Sequence, residues 1–136
     1  MHSHKVKLSI LLPVRDAADY LPEAIASLEA QTFRDWECLV IEDGSTDGCA
    51  EILNDWQQRD ERVRVLQGGG NGIVHALNLA LAEAKAPMIA RMDADDVAQP
   101  SRFEKQMEFM SSHPDVVACG TGVSMVDPAG RVLCPI

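Results

Sequence analysis

The 136 residues amount to one domain. At 46% hydrophobic and 24% charged, the chain can bury a core without disulfides or a structural metal. A net charge of −9 argues against a nucleic-acid partner, because phosphate backbones select for Lys and Arg. It does not exclude an anionic ligand, since an acidic site binds phosphate when a divalent cation sits between them. None of the cysteines (Cys38, Cys49, Cys119, Cys134) has C-x-x-C spacing, so neither a zinc site nor a redox motif is signalled. No window approaches the ~20 apolar residues of a membrane span, and the N-terminus lacks a signal-peptide stretch. The expectation is a cytoplasmic chain with reduced thiols, His2 and His4 lying in a disordered terminus.

In chain order, Lys7–Val14 is a short apolar run that reads as a buried strand. Leu21, Ala24, Ile25 and Leu28 then recur at helical spacing, with Asp19 as the expected N-cap and Pro22 in the first turn. Trp36–Ile41 is the second strand, and Glu42–Gly48 is turn chemistry. Cys49, Ile52, Leu53 and Trp56 mark one face of a second helix. Arg62–Leu66 is a weak third strand, followed by the loop Gln67–Gly72, which reads as flexible. Asn71 is the expected cap of a third helix whose apolar face is Ile73, Leu77, Ala80, Leu81 and Ala84. Pro87–Met92 is a fourth strand leading into Asp93-Ala94-Asp95-Asp96. Pro100 opens a fourth helix that turns Phe103, Met107 and Met110 inward. Val116–Cys119 reads as a fifth strand, and Asp127–Gly130 as a hairpin turn.

Strands alternating with helices predict a mostly parallel sheet covered on both faces. Ligands of such sheets bind beyond the carboxyl ends of the strands, and both acidic clusters lie there. Asp93 and Asp95 are two apart, so on an extended segment they project to the same side and can share a hard cation. Glu42-Asp43-Gly44-Ser45 admits two readings: acid near the positive end of the next helix, or a carboxylate that accepts hydrogen bonds from a base or ribose. His75 reads as partly exposed surface, and Arg91 as a partner for nearby acids.

Leu11-Leu12-Pro13-Val14-Arg15-Asp16, Glu42-Asp43-Gly44-Ser45-Thr46-Asp47 and Arg91-Met92-Asp93-Ala94-Asp95-Asp96 resemble, in order and separation, three signatures of family 2 glycosyltransferases. Asn71-Gly72 with Ala76 and Asn78 resembles the family's glycine loop and following helix, and Pro100-x-Arg102-x-Glu104-x-Gln106 the segment after the metal motif. The resemblance implies a GT-A fold, a Rossmann-like α/β/α sandwich spanning 1–136 as the donor-binding portion of a longer catalytic domain. It implies a nucleotide diphosphate sugar, with UDP the family's usual nucleotide, bound through Mg²⁺ or Mn²⁺ at a DXD motif. By motif position Pro13, Val14 and Arg15 line the base and ribose pocket, Asp43 contacts the nucleoside, and Gly72 belongs to the nucleotide site. Asp93 lies near the ribose or metal, and Asp95 is the main metal ligand. The sequence departs from the family in having Arg15-Asp16 where an aromatic and Asn or Glu are usual, and Glu42 where Asp is common. Arg15 would stack on a base or meet a phosphate.

The family inverts the anomeric carbon, so a base must deprotonate the acceptor hydroxyl. That base and the acceptor site belong to a further C-terminal segment, and the sequence assigns no residue to the role. The implied acceptor is a glycan or lipid-linked glycan of cell-surface polysaccharide biosynthesis, with membrane association in a full-length form. An open sheet edge would favour a homodimer. The alternative is a non-catalytic nucleotide-sugar-binding module. A dinucleotide enzyme would carry its glycines after the first strand, and an Asp-x-Asp phosphatase its motif there too; neither placement is met.

Overall fold

The computed structural model describes residues 5–135, so His2 and His4 lie outside the described residues. Four parallel strands form the central sheet: β1 (Leu8–Val14), β2 (Trp36–Glu42), β3 (Val63–Gln67) and β4 (Met88–Arg91), in the order β3-β2-β1-β4. They alternate with α1 (Leu21–Glu29), α2 (Cys49–Arg59) and α3 (Ile73–Glu83), and α4 (Arg102–Ser112) follows β4. A small antiparallel hairpin, β5 (Ser124–Val126) with β6 (Val132–Pro135), stands apart from the sheet.

The pleat divides the core. Ile10, Leu12 and Val14 of β1 pack on one face with Leu21, Ile25 and Leu28 of α1, Leu53 and Trp56 of α2, and Phe103 of α4. Leu11, Leu39 and Ile41 face the other side, under Ala76 and Ala80 of α3. A strand covered on both faces has no polar side to show, which is why β1 and β2 read as continuous apolar runs. Each fully buried aliphatic side chain contributes roughly 1.5–3 kcal/mol, so these two strands anchor the domain. β3 and β4 are the two sheet edges, and the side chains of β4 alternate between partly covered and exposed.

Register decides where the loops meet. β1 and β2 pair from Leu8↔Trp36 to Val14↔Glu42, β2 and β3 end at Glu42↔Gln67, and β1 and β4 end at Leu11↔Arg91. The strand order reverses between β1 and β4, opening the crevice where ligands of open α/β sheets bind.

Several local expectations are corrected. Val116–Cys119 is not a strand: the Val116 N–H turns back to the His113 carbonyl, and Val117, 96% exposed, pairs with no strand among the described residues. α1 starts after Tyr20, not Asp19, and no side chain caps it. α3 starts after Gly72, and Asn71 instead donates Nδ2 to the Gly68 carbonyl at 2.9 Å. Of its expected apolar face, Leu77, Ala80 and Ala84 do pack toward the sheet, joined by the buried Ala76, while Ile73 and Leu81 turn outward, each 52% exposed. The Asp127–Gly130 turn does join two strands. Cys38, Cys49 and Cys119 are free thiols, and burial pushes the Cys38 thiol far up.

Candidate functional site

Three acidic strand-end loops build the site, with the glycine loop after β3 closing on the second. The first, after β1, carries Arg15 and Asp16. Asp16 has φ 49°, a left-handed conformation that Asp tolerates better than most residues. There its N–H donates to Ser45 Oγ at 3.0 Å and its Oδ1 accepts the Thr46 N–H at 2.8 Å. Asp47 answers by accepting the Ala18 N–H at 2.9 Å. The departure at Asp16 thus stitches the first loop to the second. A hydrogen bond with the Cys49 thiol, then one from the Ala18 N–H, holds Asp47 below the usual carboxylate range.

The second loop follows β2. Glu42 and Asp43 are buried at 6% and 4% exposure, which two carboxylates tolerate only when hydrogen-bonded. Glu42 accepts the Ser45 N–H at 2.7 Å and the Gly44 N–H at 3.3 Å. Asp43 accepts the N–H groups of Gly70 and Asn71 on Oδ1, at 3.0 and 3.1 Å, and that of Gly72 on Oδ2 at 3.0 Å.

The third loop, Asp93–Asp96, is its electrostatic opposite. Asp93, Asp95 and Asp96 are exposed, and one carboxylate oxygen of each lies within 4.8 Å of the others. Among the described residues, the single hydrogen bond these carboxylates accept comes from Arg91 Nη1 to Asp93 Oδ1 at 3.2 Å. Partial burial, then the charges of Asp95 and Asp93, push Asp96 above the usual carboxylate range. Arg102 braces this turn from behind: Nη2 donates to the Arg91 carbonyl at 2.9 Å and Nε to Gln106 Oε1 at 3.1 Å. Gln106 reaches the Cys119 carbonyl, and Glu104 accepts from Thr32. The Pro100–Gln106 segment therefore supports the acidic turn through α4.

Between the loops lies a cleft of about 520 Å³. Pro13, Val14, Arg15, Asp43, Gly72, Asp93 and Asp95, the residues singled out in the sequence, all line it. Gly72 occupies φ 91°, ψ 171°, open to glycine alone. Ala76, which belongs to the matched loop-and-helix segment, also lines the cleft, with Asp16, Ala17 and Ala94, and so do Tyr20 and Ile73, which the sequence did not point to as site residues. Tyr20 carried a legible signal, since it is the sole tyrosine and directly precedes the first helix. The residue is 49% exposed and lines the cleft wall. His75 is exposed and does not line the cleft.

The model of Glycosyl transferase family 2 matches residues 9–130. The chain belongs to glycosyl transferase family 2. Among curated relatives of this family 2 chain, the O-antigen biosynthesis glycosyltransferase WbnJ of Escherichia coli is 33% identical over 129 residues, covering 93% of this chain and 50% of WbnJ. This chain spans about half or less of the curated relatives it matches, 45% and 37% of two others. The crystal structure of S. aureus TarS 1-349 in complex with UDP-GlcNAc superposes with a TM-score of 0.75 at 26% identity, over 88% of this chain and 38% of TarS. The fold is shared by the mannosyltransferase PcManGT from Pyrobaculum calidifontis, in complex with GDP-Man and Mn²⁺, with a TM-score of 0.70 at 20% identity over 90% of this chain and 36% of that one. The GT-A architecture expected of the sequence is thereby shown.

Proposed function

We propose that this domain binds the donor of a metal-dependent, inverting glycosyltransferase, a nucleotide diphosphate sugar with UDP as its nucleotide. The charge balance of the cleft carries the reading. Its lining holds one cation, Arg15, against four carboxylates, Asp16, Asp43, Asp93 and Asp95. The N–H groups of the glycine loop, the usual alternative for binding phosphate, are already donated to Asp43. A diphosphate adds further negative charge, so its binding requires a cation.

The Asp93–Asp96 turn fits that cation. Its ligand set is hard oxygen, exposed, clustered and short of protein donors, as Mg²⁺ or Mn²⁺ demands. Asp95 and Asp93 would hold the ion, leaving coordination positions for phosphate oxygens. Once bound, it would stabilise negative charge on the departing diphosphate. Arg15 meets the nucleotide, Pro13 and Val14 form the floor under base and ribose, and Tyr20 offers a ring face for the base. The TarS complex with UDP-GlcNAc supports a UDP-sugar donor, and the name of WbnJ supports a glycan acceptor.

The test is the thermal midpoint with UDP, GDP or dTDP, each with and without Mn²⁺, for the native chain and Asp95→Asn. A ligand that binds the folded state alone raises the midpoint. The expected result is a rise with UDP that requires Mn²⁺ and disappears in the variant. A rise with nucleotide that ignores the metal would remove the metal-bridged reading, and no rise with any nucleotide would remove the donor site.

A further inference from the structure

We propose that Asp16 is a positioning residue for Arg15: it locks the loop after β1 onto the loop after β2, and so presents the cleft's one cation to the nucleotide. The inference rests on the reading of the cleft as a donor site. The β1–β2 ladder ends at Val14↔Glu42, with one further bond from the Asp43 N–H to the Val14 carbonyl. Beyond it the two loops leave the ladder, and side chains take over the pairing of their backbone groups. The three successive N–H groups that follow Arg15 each meet a side-chain acceptor of the second loop or the first residue of α2. Asp16 donates to Ser45 Oγ at 3.0 Å, Ala17 to Cys49 Sγ at 3.2 Å and Ala18 to Asp47 Oδ2 at 2.9 Å. A fourth bond runs the other way, from the Thr46 N–H to Asp16 Oδ1 at 2.8 Å.

Asp16 is the turning point of this seam. Among the described residues it is the one non-glycine with positive φ, 49°. Such a conformation persists where the surroundings enforce it, and it concentrates at functional sites. Here the bonds to Ser45 and Thr46 enforce it. Arg15, the residue before the turn, is exposed and lines the cleft. Among the described residues it donates no hydrogen bond and forms no ion pair, although Asp16, Asp43, Asp93 and Asp95 line the same cleft. A guanidinium kept from the acids around it stays available to a ligand, and a fixed backbone lowers the ordering cost of that contact. On the other side of the seam, the Ala17 carbonyl accepts the Tyr20 and Leu21 N–H groups and opens α1. The turn that carries Arg15 is therefore tied to a core helix as well as to the second loop.

The experiment measures the Kd for UDP and GDP at saturating Mn²⁺, and the Kd for Mn²⁺ alone. It compares native protein with Asp16→Ala, Asp16→Asn, Ser45→Ala, Arg15→Ala and the double variant of Arg15→Ala with Asp16→Ala. Asp16→Ala should weaken nucleotide binding about tenfold, the scale of one lost charge-assisted hydrogen bond. Asp16→Asn, which keeps a carbonyl acceptor and tolerates the left-handed turn, should restore most of the loss. Ser45 does not line the cleft, so the weakening in Ser45→Ala, about threefold for a neutral hydrogen bond, reports on the loop. Once Arg15 is alanine, Asp16→Ala should change the nucleotide Kd by less than about twofold, because a residue that acts through Arg15 then has nothing left to position. Mn²⁺ affinity should stay native throughout. A full tenfold loss in the Arg15→Ala background overturns the proposal, since Asp16 then acts on the ligand itself, and so does a Mn²⁺ affinity that falls together with nucleotide affinity. If neither nucleotide binds the native chain, the donor-site reading fails and takes the proposal with it, whereas native binding with additive losses removes the proposal alone. If Asp16→Ala does not fold, Asp16→Gly, which relieves the backbone and still lacks the acceptor, takes its place in the cycle.

Discussion

The two acidic turns, Glu42-Asp43 after β2 and Asp93–Asp96 after β4, look alike as sequence and are opposites as structure. The first is buried, and its carboxylates accept five backbone N–H groups, from Gly44, Ser45, Gly70, Asn71 and Gly72. The second is exposed, its carboxylates crowd within 4.8 Å, and Arg91 supplies their one hydrogen bond among the described residues. Satisfied acid is architecture, whereas the crowded, unsatisfied acid is where the proposed cation would bind. Removing charge from the first turn should therefore harm the fold, and removing it from the second should harm metal binding alone.

The largest effect tests the packing of the first turn. Gly68→Ala drives a Cβ into Asp43 and Ile41 and should cost about 3 kcal/mol, the upper range for overpacking, read by urea denaturation. Glu42→Gln replaces a buried carboxylate that takes two N–H groups and should cost about 1.5–2 kcal/mol. Asp95→Asn in the second turn should leave stability within about 0.5 kcal/mol of native. Equal losses from these last two would erase the contrast between the turns.

Smaller effects sharpen it. Arg91 is the built-in counter-ion of Asp93, and the metal proposed for this turn would compete with it. Arg91→Gln should tighten Mn²⁺ binding by about two- to fivefold, the scale of an exposed ion pair, with weaker binding as the contrary result by calorimetry. Carboxyl NMR titration of the metal-free protein should place Asp47 below, and Asp96 above, the ordinary carboxylate value. The signs differ accordingly. The lowered Asp47 stabilises the fold above the ordinary value, and that contribution is lost as pH falls through the lowered one. Ionised Asp96 costs stability above its raised value, and acid relieves the cost. A shared midpoint for the two would contradict the different surroundings described for them.

Much of the molecule was legible in the chain. Apolar runs buried on both faces marked β1 and β2, and alternation with helices gave the parallel sheet. The motif residues from Pro13 to Asp95 were locatable because each lies at the carboxyl end of a strand or in the loop that follows it. The exposed Val116–Cys119 misled because an apolar run states hydrophobicity, not whether a neighbour exists to pair with. The α3 face was right at Leu77, Ala80 and Ala84 and misled at Ile73 and Leu81, because close approach to Leu11, Leu39 and Ile41 favours the small residue Ala76 over the larger ones. Asp16 stood out as a departure, but its partners Ser45 and Thr46 lie about thirty positions away.

The sequence by itself determined the strand–helix alternation, and with it which loops gather at one sheet edge. It also determined the chemistry available there, acids and glycines with one arginine. The tertiary structure alone decided what each acid does. Pairing Glu42 with Gln67 lays the next residues of both strands side by side and delivers the glycine loop to Asp43. Pairing Leu11 with Arg91 sets Asp93–Asp96 across the crevice, beyond reach of any such loop. A carboxylate is neutralised by the donors its neighbours bring within about 3 Å, and strand register, invisible in a linear chain, fixes those neighbours.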